Sequence, residues 1–250
     1  MKTKTIIGIV VLLVIGAHLG NSAWSSNKQL VATVSQPLTA ITQVRIHGAA
    51  SVVHLSTQAE APWGAQLYTH RAGWGGFWRS AWATGGCGDN GTLDVVGSTL
   101  HVNLPGNQTV WNGWGSWGEP DCTLELQAQL PAGVRVDVDQ QASRLTMDGD
   151  FSTVSIQSRA GDVSLRGHAS ALSVSGDALR ARIDYTRVQH DETLAFEGQA
   201  MDLDLRMPPA TPIHYLVEAH ASLVNSSLPN TPGALPSITV RGDMVRATIR

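Results

Sequence analysis

The sequence predicts an all-β protein: a parallel β-solenoid of short strands carrying one Trp/Gly-rich, disulfide-bridged insertion. Three observations predict it. From Arg135 the segments RVDVDQQAS, RLTMDGDFS, TVSIQSRAG, DVSLRGHAS, ALSVSGDAL and RARIDYTRV succeed one another every nine residues. Each carries two apolar residues two apart with a polar residue between (Val136/Val138, Leu145/Met147, Val154/Ile156, Val163/Leu165, Leu172/Val174, Ala181/Ile183), which is strand alternation. A second column, Ala142, Phe151, Ala160, Ala169 and Ala178, keeps the same phase, while Gly149, Gly167 and Gly176 with Ser158 mark turns. The nine-residue interval also returns far from this array, in Val44/Ile46 to Val53/Leu55 and in Ile238/Val240 to Ala247/Ile249. An antiparallel sandwich has short strands at similar spacing, but its hairpins do not require one interval five times running.

A three-residue strand has no stability of its own, because two inward side chains bury too little to offset ordering the backbone. Stacking reverses the balance, since each arc pairs with the next and its inward pair extends an apolar column. Two nine-residue arcs per coil give an 18-residue rung with a narrow, two-faced core. The alanine column suits a tight corner.

In chain order, Lys2 and Lys4 precede the apolar run from Ile6 to Ala17. Twelve residues fall short of the ~20 that span a bilayer, so residues 1–23 read as a signal peptide, or as a signal anchor if uncleaved. Residues 24–37 read as a linker and 38–250 as the solenoid domain. The rhythm lapses over about 60–121, where seven of the eight tryptophans sit among glycines, and a hairpin of Leu93/Val95 with Leu100/Val102/Leu104 turns about Gly97-Ser98. Cys87 and Cys122 are the only cysteines; in an oxidising compartment one disulfide between them clamps this insertion. Leu124, Leu126, Ala128 and Leu130 resume the alternation. Beyond Ile183 the pairs Leu194/Phe196 and Leu203/Leu205 run four residues out of phase, as one longer turn produces. Pro208, Pro209 and Pro212 keep the following strand from a central place, Ile213/Tyr215/Val217 and Ser222/Val224 form later rungs, and SSLPNTPGALP is an excursion.

Composition narrows the function classes. A net charge of -3 with scattered basic residues offers nothing to follow a phosphate backbone, so nucleic acid is not an expected partner. Ser158, Asp162 and His168 are read as outer-face and turn residues rather than a triad. The Asp-Gly and Gly-Asp pairs lack the calcium β-roll pattern, and the two cysteines lack metal spacing, so neither metal nor cofactor is expected. Arg241-Gly242-Asp243 reads as a turn between Val240 and Val245. The strongest lead is the tryptophan cluster, with Trp74, Trp78, Trp111 and Trp114 forming a platform that stacks on sugar rings or anchors a protein.

The stretches 38–55, LTAITQVRIHGAASVVHL, 124–138, LELQAQLPAGVRVDV, and 158–183, SRAGDVSLRGHASALSVSGDALRARI, resemble the bacterial putative auto-transporter adhesin family, the DUF4097-type domains. The resemblance covers roughly residues 38–58 and 122–205. It implies a single-stranded right-handed β-helix and a suspected adhesive role, and carries no catalytic residues. The Trp/Gly insertion and the disulfide depart from the family's pattern. The expectation is therefore a non-enzymatic, exported module of the periplasm or cell surface, binding a glycan or another envelope protein or serving a structural role. A glycan-binding or polysaccharide-degrading β-helix enzyme is the alternative. Membrane attachment is expected only through an uncleaved N-terminal segment.

Overall fold

The structure, a computed structural model, describes residues 31–72, 91–105 and 121–250. Among these every regular element is a strand, and ten strands form one mixed sheet: β1 (Val31–Leu38), β2 (Gln43–Gln58), β3 (Trp63–Ala72), β4 (Thr92–Val96), β5 (Thr99–Leu104), β6 (Asp121–Pro131), β7 (Val134–Tyr185), β8 (Thr193–Arg206), β9 (His214–Ser226) and β10 (Ser237–Ile249). Residues 1–30 fall outside the described residues.

The nine-residue segments of the array are not separate strands divided by turns. They merge into β7, 52 residues of continuous strand that bends without breaking. Its inward residues Val136, Val138, Leu145, Met147, Val154, Ile156, Val163, Leu165, Leu172 and Val174 are all buried. Successive passes stack eighteen residues apart, since Gly167 lies against Gly149 and Gly176 against Ser158. A nine-residue step is thus half a period, and each rung consists of two arcs meeting at a corner. Close stacking is what requires glycine there. A Cβ on Gly176 would meet the Ser158 carbonyl oxygen at 1.7 Å, and one on Gly167, which also has φ +134°, would meet Gly149 O at 2.0 Å.

Parallel register carries the same columns into the neighbouring strands. Val44, Ile46, Val53 and Leu55 of β2 lie opposite Val136, Val138, Leu145 and Met147, and Leu172 and Val174 lie opposite Leu194 and Phe196 of β8. The last offset is twenty-two residues rather than eighteen, so the longer turn at 184–193 adds four residues without shifting the columns. The expected hairpin also forms, with Leu93 opposite Val102 and Val95 opposite Leu100.

Three arrangements differ from the sequence reading. The stretch taken as a linker contains β1, paired antiparallel to β3, which is in turn antiparallel to β6. Strand β5 is not confined to an insertion, because together with β6 it supplies a rung beside β2, through Leu100 opposite Val44 and Leu126 opposite Val53. The chain then passes to the other side of β2 to begin β7. At the far end it does the same in reverse: β9 is outermost, and β10 returns to lie between β8 and β9, parallel to both.

Candidate functional site

The corner between the two arcs forms a surface feature as well as a bend. Where Gly176, Gly198 and Gly242 stack at this corner, a large side chain three residues on fills the space: Leu179, Met201 and Val245, each nearly buried. One or two rungs earlier the sizes exchange, and Gln140 and Ser158 face Ser143 and Gly161. The polar groups there satisfy one another, with Ser51 Oγ 3.1 Å from Gln140 Oε1 and the Ser143 hydroxyl donating to Ser158 Oγ at 3.0 Å. Such complementary sizes keep the corner filled, as close-packed interiors require.

One residue before this column the side chains turn outward. Ala50 lies opposite Ala142, Ala178 opposite Ala200, and Met244 opposite both Ala200 and Ala221. Ala142, Ala160 and Ala178 follow eighteen apart, so seven rungs contribute to one row. These residues, most of them exposed, form the floor of an open groove of about 1240 Å³. Six steps of about 4.8 Å make the row roughly 29 Å long. The expectation that the alanine column packs a tight corner therefore holds for only two of its five positions. Ala142, Ala160 and Ala178 face solvent, whereas Phe151 and Ala169, nine residues out of step, are buried at the opposite corner.

Charged residues flank the row in alternation. Arg144, Asp162, Arg180, Asp202 and Arg246 line one side. Arg180 sits 3.7 Å from Asp202, and Arg182 Nη1 donates to Asp162 at 3.1 Å. On the other side Arg159 pairs with Asp177 at 3.4 Å, and His220 with Asp243 at 3.0 Å. Stacking places equivalent positions directly above one another, so alternating sign avoids repulsion between rungs. Each pair is exposed and contributes little stability; its effect is to fix a comb of opposite charges beside an apolar floor.

A second polar cluster is fully enclosed. His168 Nε2 lies 3.0 Å from Glu192 Oε1, and both side chains are almost inaccessible. The same carboxylate accepts the backbone N–H groups of Gln189 and, at 3.2 Å, Asp191, while the Glu192 carbonyl accepts Ser237 N–H at 3.0 Å. Burial pushes the Glu192 carboxyl up, but the backbone N–H groups of Gln189 and of Glu192 itself, together with His168, outweigh it and hold it below the usual carboxylate value. Tyr185 stacks edge-on to His168 at 5.9 Å and donates to Ala169 O at 2.7 Å; burial and the Glu192 charge hold its phenol protonated well above the usual range. The cluster pins the longer turn to the body of the sheet.

No family model matches the chain, and it matches none of the curated proteins. Among solved structures it is similar to a putative cell adhesion protein from Clostridium sporogenes, at 9% identity and a TM-score of 0.46 over 88% of this chain and 98% of that one. It is likewise similar to a putative adhesin from Bacteroides fragilis, at 12% identity and a TM-score of 0.41 over 89% and 97%.

The residues singled out in the sequence have varied places. Trp74, Trp78, Trp111 and Trp114 lie outside the described residues, as does Cys87 and with it the expected bridge to Cys122. Ser158, Asp162 and His168 each have another partner: Ser143, Arg182 and Glu192. Among the described residues no three His, Cys, Asp or Glu side chains gather as metal ligands. Arg241-Gly242-Asp243 occupies the corner of β10, with Arg241 2.8 Å from Glu218 and Asp243 paired to His220. The groove went unseen in the sequence, although a signal for it is present: G-x-A-L at Gly176, G-x-A-M at Gly198 and G-x-M-V at Gly242 share one outward position.

Proposed function

We propose that the protein is an exported binding or adhesion module of the cell envelope whose ligand is an extended polypeptide lying along the alanine row. The observation that carries this reading is the groove itself. Its floor of small apolar side chains admits close approach of another backbone, and its ridges present both charge signs at regular intervals to polar side chains of either kind. A sugar polymer is less well matched to the described residues of the groove lining, which include no aromatic ring to stack on it. Export rests on the basic and apolar N-terminal run of the sequence. Within this reading the stacked rungs coil as a right-handed β-helix, the hand that parallel strand connections almost always take.

Binding of the full chain to a peptide array, and to a glycan and peptidoglycan array, tests the reading against an Ala178→Phe variant that fills the groove from an exposed position. The expected result is peptide binding weakened at least tenfold in the variant at unchanged melting temperature. Binding confined to glycans, or peptide binding indifferent to Ala178→Phe, rejects it.

A further inference from the structure

Strand β9 ends the sheet, and among the described strands only β10 pairs with it. None of its thirteen residues is fully buried. Val224 stands in an inward column, opposite Ala247, yet is 37% exposed, and Leu216 and Leu223 are 46% and 65% exposed. A long apolar edge of this kind is a template for pairing.

The main-chain groups along this edge follow a definite pattern. His214 N–H bonds to Pro236 O and Ser227 N–H to Ile249 O, so these residues face β10. Alternation turns the groups of Tyr215, Val217 and Ala219 in the first arc, and of Ser222, Val224 and Ser226 in the second, toward the open side. Asn230 occupies those of Tyr215, with bonds of 3.1 and 2.9 Å. Laid antiparallel on a copy of itself about the corner between His220 and Ala221, β9 brings Val217 opposite the second copy's Val224, and Ala219 opposite its Ser222. Every such pair joins two outward-facing main chains and two inward side chains. In the same register Leu216 meets Asn225, Glu218 meets Leu223 and His220 meets Ala221, so no like charges are opposed. A one-residue shift sets inward side chains against outward ones, and a two-residue shift takes the two corners off each other.

We infer that two copies of the chain join end to end through β9, on a two-fold axis at the His220/Ala221 corner. Val224 is then covered by Val217 of the second copy, and the apolar columns continue from one molecule into the next. The axis passes beside Ala221, the last residue of the alanine row, so the grooves of the two copies run into one another. The pairing stands on the edge alone and does not depend on what the groove binds.

The test is sedimentation of the full chain across the micromolar range, in a mild detergent that keeps the apolar N-terminal run dispersed. The expected species has twice the monomer mass. Val217→Pro removes an N–H that faces away from β10, and Val224→Lys places a charge at the joint; both are expected to reduce the mass to that of a monomer with melting little changed. A mixture of Leu216→Cys and Asn225→Cys chains is expected to cross-link on mild oxidation, whereas each variant alone gives no more cross-linking than the parent. A parent chain that stays monomeric, folded variants that both remain dimeric, or equal cross-linking by Leu216→Cys alone would overturn the inference.

Discussion

Gly176→Ala isolates the steric part of rung stacking. Gly176 has no left-handed backbone, so alanine brings no conformational penalty, only a methyl carbon 1.7 Å from Ser158 O and 3.0 Å from Leu179 Cδ2. A carbon–oxygen contact relaxes near 3.3 Å, so the rungs must part by roughly 1.5 Å, about a third of their ~4.8 Å spacing. Two or three backbone hydrogen bonds then lengthen, at about 1 kcal/mol each, and Leu179 loses part of its packing, for a total of about 3–4 kcal/mol. In a unit of this size that lowers the melting temperature by roughly 6–16 °C. Gly133→Ala is the complementary control, with φ +77° and nothing within 4 Å of the added carbon, so only backbone strain of about 1–2 kcal/mol applies. Thermal melts followed by circular dichroism compare the two. If the variants melt together, or Gly133→Ala falls further, carbonyl crowding is not what reserves the corner for glycine.

Two further outcomes follow from packing and charge. Leu179→Ala empties the space over Gly176 and Gly198 and is expected to cost about 2–4 kcal/mol in urea denaturation, whereas loss of an exposed residue there would be silent. Glu192→Gln removes charge-assisted bonds to His168 and to two backbone N–H groups, and is expected to destabilise by about 1.5–3 kcal/mol at neutral pH. Because the folded-state carboxyl titrates below its usual range, its contribution is present above that range and lost as pH falls through the folded value. The gap between parent and variant should therefore close in acid, and denaturation at a series of pH values below the ordinary glutamate value of about 4.5 reads it.

Much of the fold is legible in the residues. Pairs such as Val136/Val138 announce alternation, and the offset between Ile183 and Leu194 announces the longer turn, because inward columns must stay apolar whatever the turn length. The exchanges at both ends are not legible. Ile238/Val240 fit beside Leu194/Phe196 as well as Tyr215/Val217 would, and interchangeable columns leave neighbour choice to the geometry of the connections. The groove was missed for a related reason. Ala142 and Ala169 look alike in sequence, and alanine serves equally as a buried filler or a shallow surface, so only the eighteen-residue stacking separates one from the other. Glu192 gave no signal, since its partner His168 is twenty-four residues away in a stretch that reads as polar surface.

The insertion of β10 between β8 and β9, and of β2 between β6 and β7, bears on how the molecule is made. A chain emerging N-terminus first presents β2 before either neighbour exists, and β9 before the strand that connects it to β8. Growth in strict chain order, each rung on the last, is therefore followed at neither end. The central passes of β7 can zip as they appear, and β6 and β7 can add in turn to the two sides of β2, but β9 has no partner beside β8 until β10 arrives, which couples closure of the sheet to release of Ser237–Ile249.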